Sequence, residues 1–176
     1  PTMKSDATFF SFHPYKPIAS SDGGMVSTNN KDISKYIQSY RNFGRQNTSK
    51  GYKIVESGFK FYMNNLNATI ALTQLEVYNE KLEQRKEAFN KLKSLNLKGR
   101  LIEHDLNSSY YIATLITEDE KTAQLYRDKY VNSRLYPPLH KQPYYINENI
   151  EMLPNTENIY PKLVNLPLYN PKIYKI

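Results

Sequence analysis

Ala7-Thr8-Phe9-Phe10-Ser11-Phe12-His13-Pro14-Tyr15-Lys16-Pro17, followed by Asp22-Gly23-Gly24-Met25-Val26, is the stretch that decides the fold. Residues 7–12 are aromatic and β-favouring and read as a short strand. Pro14 and Pro17 cannot continue it, because proline has no N–H to give to a ladder. Asp22-Gly23-Gly24 is a turn signal, and residues 25–28 read as a second short strand. Lys16 is therefore expected on a loop between two strands, where its side chain can point into a cleft.

Working outward, Asn29 or Asn30 is expected to cap a helix over residues 31–43. Ile33, Tyr36, Ile37 and Tyr40 fall on one face of it, and Gly44 ends it. Residues 45–56 are polar and read as an irregular surface loop. The strongest helical signal runs from Asn64 or Asn65 to about Leu95 as one long helix. Ala68, Ala71, Leu75, Tyr78, Leu82, Phe89 and Leu92 keep helical spacing along it, and Gly99 lies just past its end. Such a helix joins two lobes or packs along an interface. Beyond it, residues 110–116 read as a strand, 119–131 as a helix and 133–145 as a proline-rich loop. Residues 156–166 read as helical, with Pro161 a disturbance unless the helix begins there. The alternation predicts a small α/β lobe.

Composition sets the outer bounds. A chain of 176 residues can bury a core. With no cysteine, disulfides, thiolate nucleophiles and Cys-ligated zinc are excluded. His13, His104 and His140 have no metal-ligand spacing, so no metal site is expected. Lysine and arginine number 24 against 17 acidic residues, a net charge of +7. These charges are scattered, which reads first as a solvated basic surface and second as attraction to phosphorylated ligands or nucleic acid. No apolar run is long enough to cross a membrane as a helix, and no signal peptide is visible. The chain opens on Pro1 and reads as a piece or a processed product of a longer protein. The excess of Tyr, Asn and Lys fits an AT-rich genome and carries little functional weight.

Three segments, in order, resemble the DegT/DnrJ/EryC1/StrS family of sugar aminotransferases that depend on pyridoxal 5′-phosphate (PLP). The first is the opening stretch. The second is Gly58-Phe59-Lys60-Phe61-Tyr62-Met63-Asn64-Asn65-Leu66-Asn67-Ala68, running into Gln74-Leu75. The third is Tyr136-Pro137-Pro138-Leu139-His140-Lys141-Gln142-Pro143-Tyr144-Tyr145, with Leu166-Pro167-Leu168-Tyr169 after it. The resemblance implies an α/β fold, a piece of a fold type I PLP-dependent aminotransferase. Residues 1–63 would be the C-terminal part of the large PLP-binding domain, 64–98 the long connecting helix, and 99–176 the small C-terminal domain.

The resemblance also implies roles. Lys16 would hold PLP as a Schiff base and, once displaced by the donor amine, move the proton between substrate Cα and cofactor. Lysine suits this work because its pKa falls readily on desolvation. Ser11 would bind the cofactor phosphate through its hydroxyl, and His13 would lie near cofactor or substrate. Lys60 stands where many members carry Asn, given across a homodimer interface to the partner's PLP phosphate; a lysine can fill that place as a point charge. Tyr62 replaces a frequent Arg, which weakens the correspondence there. Tyr136 and His140 lie on a loop that the family uses near the sugar.

The implied reaction moves an amino group, from glutamate, onto a nucleotide-linked keto sugar. It would serve polysaccharide, lipopolysaccharide or antibiotic sugar synthesis in the cytoplasm, with no nucleic-acid or membrane partner. Family members have a longer N-terminal part that completes the cofactor pocket, so the isolated chain is expected to be inactive. Three alternatives stand beside this reading. One is a non-catalytic fragment. Another is a sugar dehydratase relative, in which His replaces the Schiff-base lysine. The third is a basic nucleic-acid-binding module, which would need clustered cations and exposed stacking aromatics.

Overall fold

The computed structural model describes residues 5–130, 136–145 and 153–169. The chain divides into two compact units, Pro1–Tyr78 and Asn79–Ile176.

In the first unit the opening stretch forms the expected strand–loop–strand. β1 (Thr8–Ser11) pairs antiparallel with β2 (Gly24–Ser27), from Thr8 opposite Ser27 to Ser11 opposite Gly24. α1 (Lys31–Tyr40) starts on Asn30, whose side chain accepts the N–H groups of Asp32 and Ile33. That satisfies two of the orphan donors of the first turn. The helix ends at Tyr40, short of the expected Phe43. Phe43 and Gly44 have φ of 61° and 69°, a left-handed reversal that an α-helix cannot contain.

The surface loop expected over residues 45–56 is instead mostly a hairpin. β3 (Arg45–Thr48) pairs with β4 (Gly51–Ile54), closed through Ser49 and Lys50. Its strands are largely exposed, so no buried face imposes the apolar alternation by which strands are read. The single long helix is also corrected. α2 (Asn65–Glu76), capped by Asn64, stops at Val77, and α3 (Tyr78–Ser94) follows. Val77 has φ −98° and ψ 8°, outside the helical well, while the side chains on either side keep helical spacing.

The second unit packs α3 and α4 (Glu120–Lys129) with a three-stranded antiparallel sheet of order β5-β6-β7. β6 (Ile112–Thr117) lies in the middle, flanked by β5 (Gly99–Leu101) and β7 (Leu163–Pro167). The expected helix over residues 156–166 is replaced by α5 (Pro154–Ile159), a 3-10 turn at Tyr160–Lys162, and β7. Pro161 has no N–H for a continuing helix. After it Val164 and Leu166 are buried while Leu163 and Asn165 are not, the period of two that marks a strand. Residues 131–135, part of the expected loop and of the end of the expected helix, lie outside the described residues.

The core belongs to this second unit. Ala88, Phe89 and Leu92 of α3 meet Ala113 and Leu115 of β6, Ala123 of α4, Val164 and Leu166 of β7, and Leu168. Burying each large aliphatic or aromatic side chain stabilises by roughly 1.5–3 kcal/mol. The first unit, among the described residues, buries only Ala71 of its apolar side chains and leaves Phe9, Phe61 and Leu66 at least two-thirds exposed. No helix among the described residues is long and apolar enough to cross a membrane.

Candidate active site

The Lys16 loop is tied shut at its base. Phe12 N–H donates to Gly23 O at 2.9 Å, and Ser20 N–H donates to Phe12 O at 2.9 Å. Ser20, fully buried, donates its hydroxyl to Asp22 O at 2.8 Å. Asp22 in turn accepts the Gly23 N–H at 2.8 Å. Gly23 has φ 105°, a conformation that favours glycine, and a Cβ there would also push the end of the Met63 side chain aside. The Asp-Gly-Gly turn thus holds residues 13–19 as a closed loop at one end of the hairpin.

Within it, Lys16 N–H donates to His13 O at 2.8 Å, a local turn that orients the lysine. Lys16 is half-buried. Ser11, the last residue of β1, is exposed, and its hydroxyl accepts the His13 N–H at 3.4 Å. His13 is exposed as well. Its Nδ1 accepts the Tyr15 N–H at 3.3 Å, and its ring lies 5.2 Å from that of Tyr15. Ser11, His13 and Lys16 therefore share one short segment.

Lys60 lies in an isolated bridge with Asn42, its ammonium 5.7 Å from the centre of the Tyr62 ring. It is exposed. Tyr136 and His140 belong to the second unit. Tyr136 is 79% exposed. Burial pushes the Tyr111 phenol up, and the Tyr136 charge adds to the shift, so the two phenols are electrostatic neighbours. His140 sits on the 3-10 turn Leu139–Lys141 with its side chain 10% exposed. Its Nε2 is 2.7 Å from Glu157 Oε1, and Lys141 pairs with the other oxygen of the same carboxylate. The Lys141 hydrogen bond, then that of His140, holds the Glu157 carboxyl below its ordinary value.

Sequence reasoning missed Glu157 altogether. Seventeen residues separate it from His140, and no spacing rule links a loop histidine to a helix carboxylate at that distance. It also missed a cavity of about 730 Å³ between α1 and the β3–β4 hairpin, lined by Lys35, Ser39, Arg41, Arg45, Glu56 and Tyr62 among others. Arg41 fell at the end of the expected helix over residues 31–43 and Arg45 in the polar stretch read as a loop, and neither was singled out. Among the described residues no group of His, Asp and Glu is arranged to hold a metal ion.

The sequence matches the DegT/DnrJ/EryC1/StrS aminotransferase family over residues 2–172. The chain belongs to that family. It is 26% identical to the spore coat polysaccharide biosynthesis protein SpsC of Bacillus subtilis, over 93% of this chain and 49% of SpsC. To the GDP-perosamine synthase of Escherichia coli O157:H7 it is 27% identical, over 93% of this chain and 47% of that enzyme. Spr1654 of Streptococcus pneumoniae, in its PMP form, superposes with a TM-score of 0.83 at 23% identity, over 94% of this chain and 47% of Spr1654. The fold is therefore the α/β fold of this family in part, and the chain spans about half the length of the curated relatives it matches.

Aminotransferases of this family depend on PLP, and Spr1654 has also been solved in a PLP form. The donor set of the Lys16 loop fits that cofactor. A primary amine suits its aldehyde, a hydroxyl suits a phosphate oxygen, and both stand on one tied segment.

Proposed function

We propose that the whole protein is a PLP-dependent transaminase that moves an amino group from glutamate onto a nucleotide-linked keto sugar. Its products would serve polysaccharide, lipopolysaccharide or antibiotic sugar synthesis in the cytoplasm. The observation that carries the reading is Lys16 on a loop closed by Phe12, Ser20 and Gly23, with the Ser11 hydroxyl on the same segment. The named relatives support the reaction class, GDP-perosamine synthase most directly.

PLP, when bound, supplies the electron sink that makes a proton next to an amine removable. The chain's own residues would hold it and move the proton. Lys16 anchors the cofactor and, once freed, takes and returns the proton at the substrate Cα. Ser11 donates to a phosphate oxygen without adding charge, and His13 borders the same space. In a homodimer Lys60 offers its ammonium to the phosphate in the partner's site. Tyr136 and His140 belong to a loop that borders the sugar, Tyr136 through an exposed phenol. Residues 1–63 would close the large domain, 64–98 would connect, and 99–176 would form the small domain. The half that the relatives have beyond this match would supply the remainder of the pocket, so the 176 residues alone are expected to be inactive.

The test is amino transfer by the full-length protein from glutamate to a panel of nucleotide-linked keto sugars. Lys16→Ala should lower the rate by at least about a thousandfold, since it removes both anchor and proton carrier. Wild-type transfer that survives this substitution would refute the assignment.

A further inference from the structure

The proline-rich loop is tied to the rest of the second unit through one carboxylate. Among the described residues, the other hydrogen bonds of residues 136–145 stay inside the loop. Lys141 N–H donates to Pro138 O at 3.0 Å, Gln142 N–H to Leu139 O at 3.0 Å and Tyr145 N–H to Gln142 O at 2.9 Å, and the Gln142 side chain reaches Pro137 O at 3.5 Å. Such bonds shape a turn without fixing where it sits. Glu157 fixes it, because one oxygen takes His140 Nε2 at 2.7 Å and the other takes the Lys141 ammonium. Bonds to a charged acceptor are roughly twice as strong as neutral ones. A carboxylate can only accept, so His140 Nε2 carries the proton, and the ring's tautomer is set together with its place. Two donors on adjacent residues also fix the direction of the turn, which a single bond would leave free to pivot.

The helix that carries Glu157 runs on into the core. α5 continues through the 3-10 turn Tyr160–Lys162 into β7, whose Val164 and Leu166 are fully buried. Arg127 of α4 clamps that turn, donating to Pro161 O at 2.8 Å and to Leu163 O at 2.7 Å. The Thr117 hydroxyl of β6 lies 3.0 Å from Lys162 O. A chain of bonded groups thus leads from the central strand to His140. On the loop itself Tyr136, Leu139 and Tyr144 remain exposed.

We infer that Glu157 is a positioning residue for the sugar acceptor, acting through His140 and the loop that carries Tyr136 rather than on the sugar itself. The inference rests on the transaminase reading, which sets Tyr136 and His140 beside the sugar. A loop released from Glu157 would hold the binding arrangement for only part of the time, and apparent affinity falls by that fraction. Glutamate, which that reading does not bring to this loop, is unaffected.

The experiment uses the full-length, PLP-loaded protein and varies each substrate in turn: glutamate, and the nucleotide-linked keto sugar of the panel that the wild type converts fastest. Glu157→Met removes both acceptor oxygens at similar side-chain length, and Glu157→Gln keeps one. Glu157→Met should raise KM for the keto sugar about tenfold or more, and leave kcat and the KM for glutamate within about twofold. Glu157→Gln should fall between it and the wild type. Deuterium exchange at the amides of Lys141, Gln142 and Tyr145 should quicken in the same order. General loss of structure would weaken both substrates alike, so a change confined to the sugar marks positioning. An unchanged sugar KM in Glu157→Met, or equal losses for both substrates, overturns the inference. If Glu157→Met does not fold, Glu157→Gln decides: a sugar KM raised severalfold with glutamate unchanged upholds the inference, and an unchanged one overturns it. A wild type that delivers an amino group to no keto sugar defeats the transaminase reading and this inference with it. An active wild type whose sugar KM ignores Glu157 defeats the inference alone.

Discussion

Glu157 shows how much a single carboxylate can organise. Its two oxygens take His140 and Lys141, so the 3-10 turn of the proline-rich loop is pinned to α5. Its folded pKa lies below the ordinary 4.5, because the Lys141 and then the His140 hydrogen bonds favour the charged form. A depressed carboxyl gives stability that is present above the unfolded value and lost as pH falls through the folded one. Carboxyl NMR of Glu157 should therefore titrate with a midpoint below 4.5, and Lys141→Met should raise it more than His140→Gln. A midpoint at or above 4.5 in the wild type would mean that the pin does not exist in solution. The loop position of Lys16 was legible because prolines and a glycine turn announce a loop from local sequence alone, while its proposed role rests on the family resemblance. Glu157 was not, because its partners are fixed by tertiary packing.

Elements were readable in proportion to how strongly they bury one face or close with a cap. Asn30, Asn64 and Asp119 cap α1, α2 and α4 through their side chains, and these starts lie within a residue or two of where the sequence puts them. The hairpin at 45–54 escaped because its exposed polar strands carry no periodic signal. Pro161, noted as a disturbance, in fact separates a short helix and turn from β7. What holds the hairpin against α1 is the reversal at Gly44. Its N–H donates to Ser39 O at 2.9 Å and its carbonyl accepts from Val55 N–H at 2.9 Å. At φ 69°, an added Cβ would stand 1.8 Å from Glu56 O. Gly44→Ala should cost more than the roughly 1–2 kcal/mol of left-handed strain alone. Hydrogen exchange should show protection lost at Phe43, Val55 and Phe59. Unchanged protection there would contradict the packing described.

At the scale of the whole molecule the two units differ in kind. The second has a continuous apolar core, in which Leu92, Leu115, Val164, Leu166 and Leu168 are fully buried. The first buries small and polar groups and leaves large apolar side chains exposed. Residues 79–176 expressed alone should therefore unfold cooperatively, whereas residues 1–78 alone should not. Leu115→Ala should lower the stability of the former by about 2–5 kcal/mol in a denaturant melt. A cooperative melt of residues 1–78 would show that the unit has a core of its own.

The family, the α/β fold and the cofactor class were all open to sequence reasoning, because three motifs in order span nearly the whole chain. The proposed chemistry rests on one amine, that of Lys16. Incubation of the full-length protein with PLP, reduction with borohydride and peptide mass spectrometry reads it directly. The account predicts a single pyridoxyl group on the peptide that carries Lys16. A label on any other lysine, or none, would contradict it.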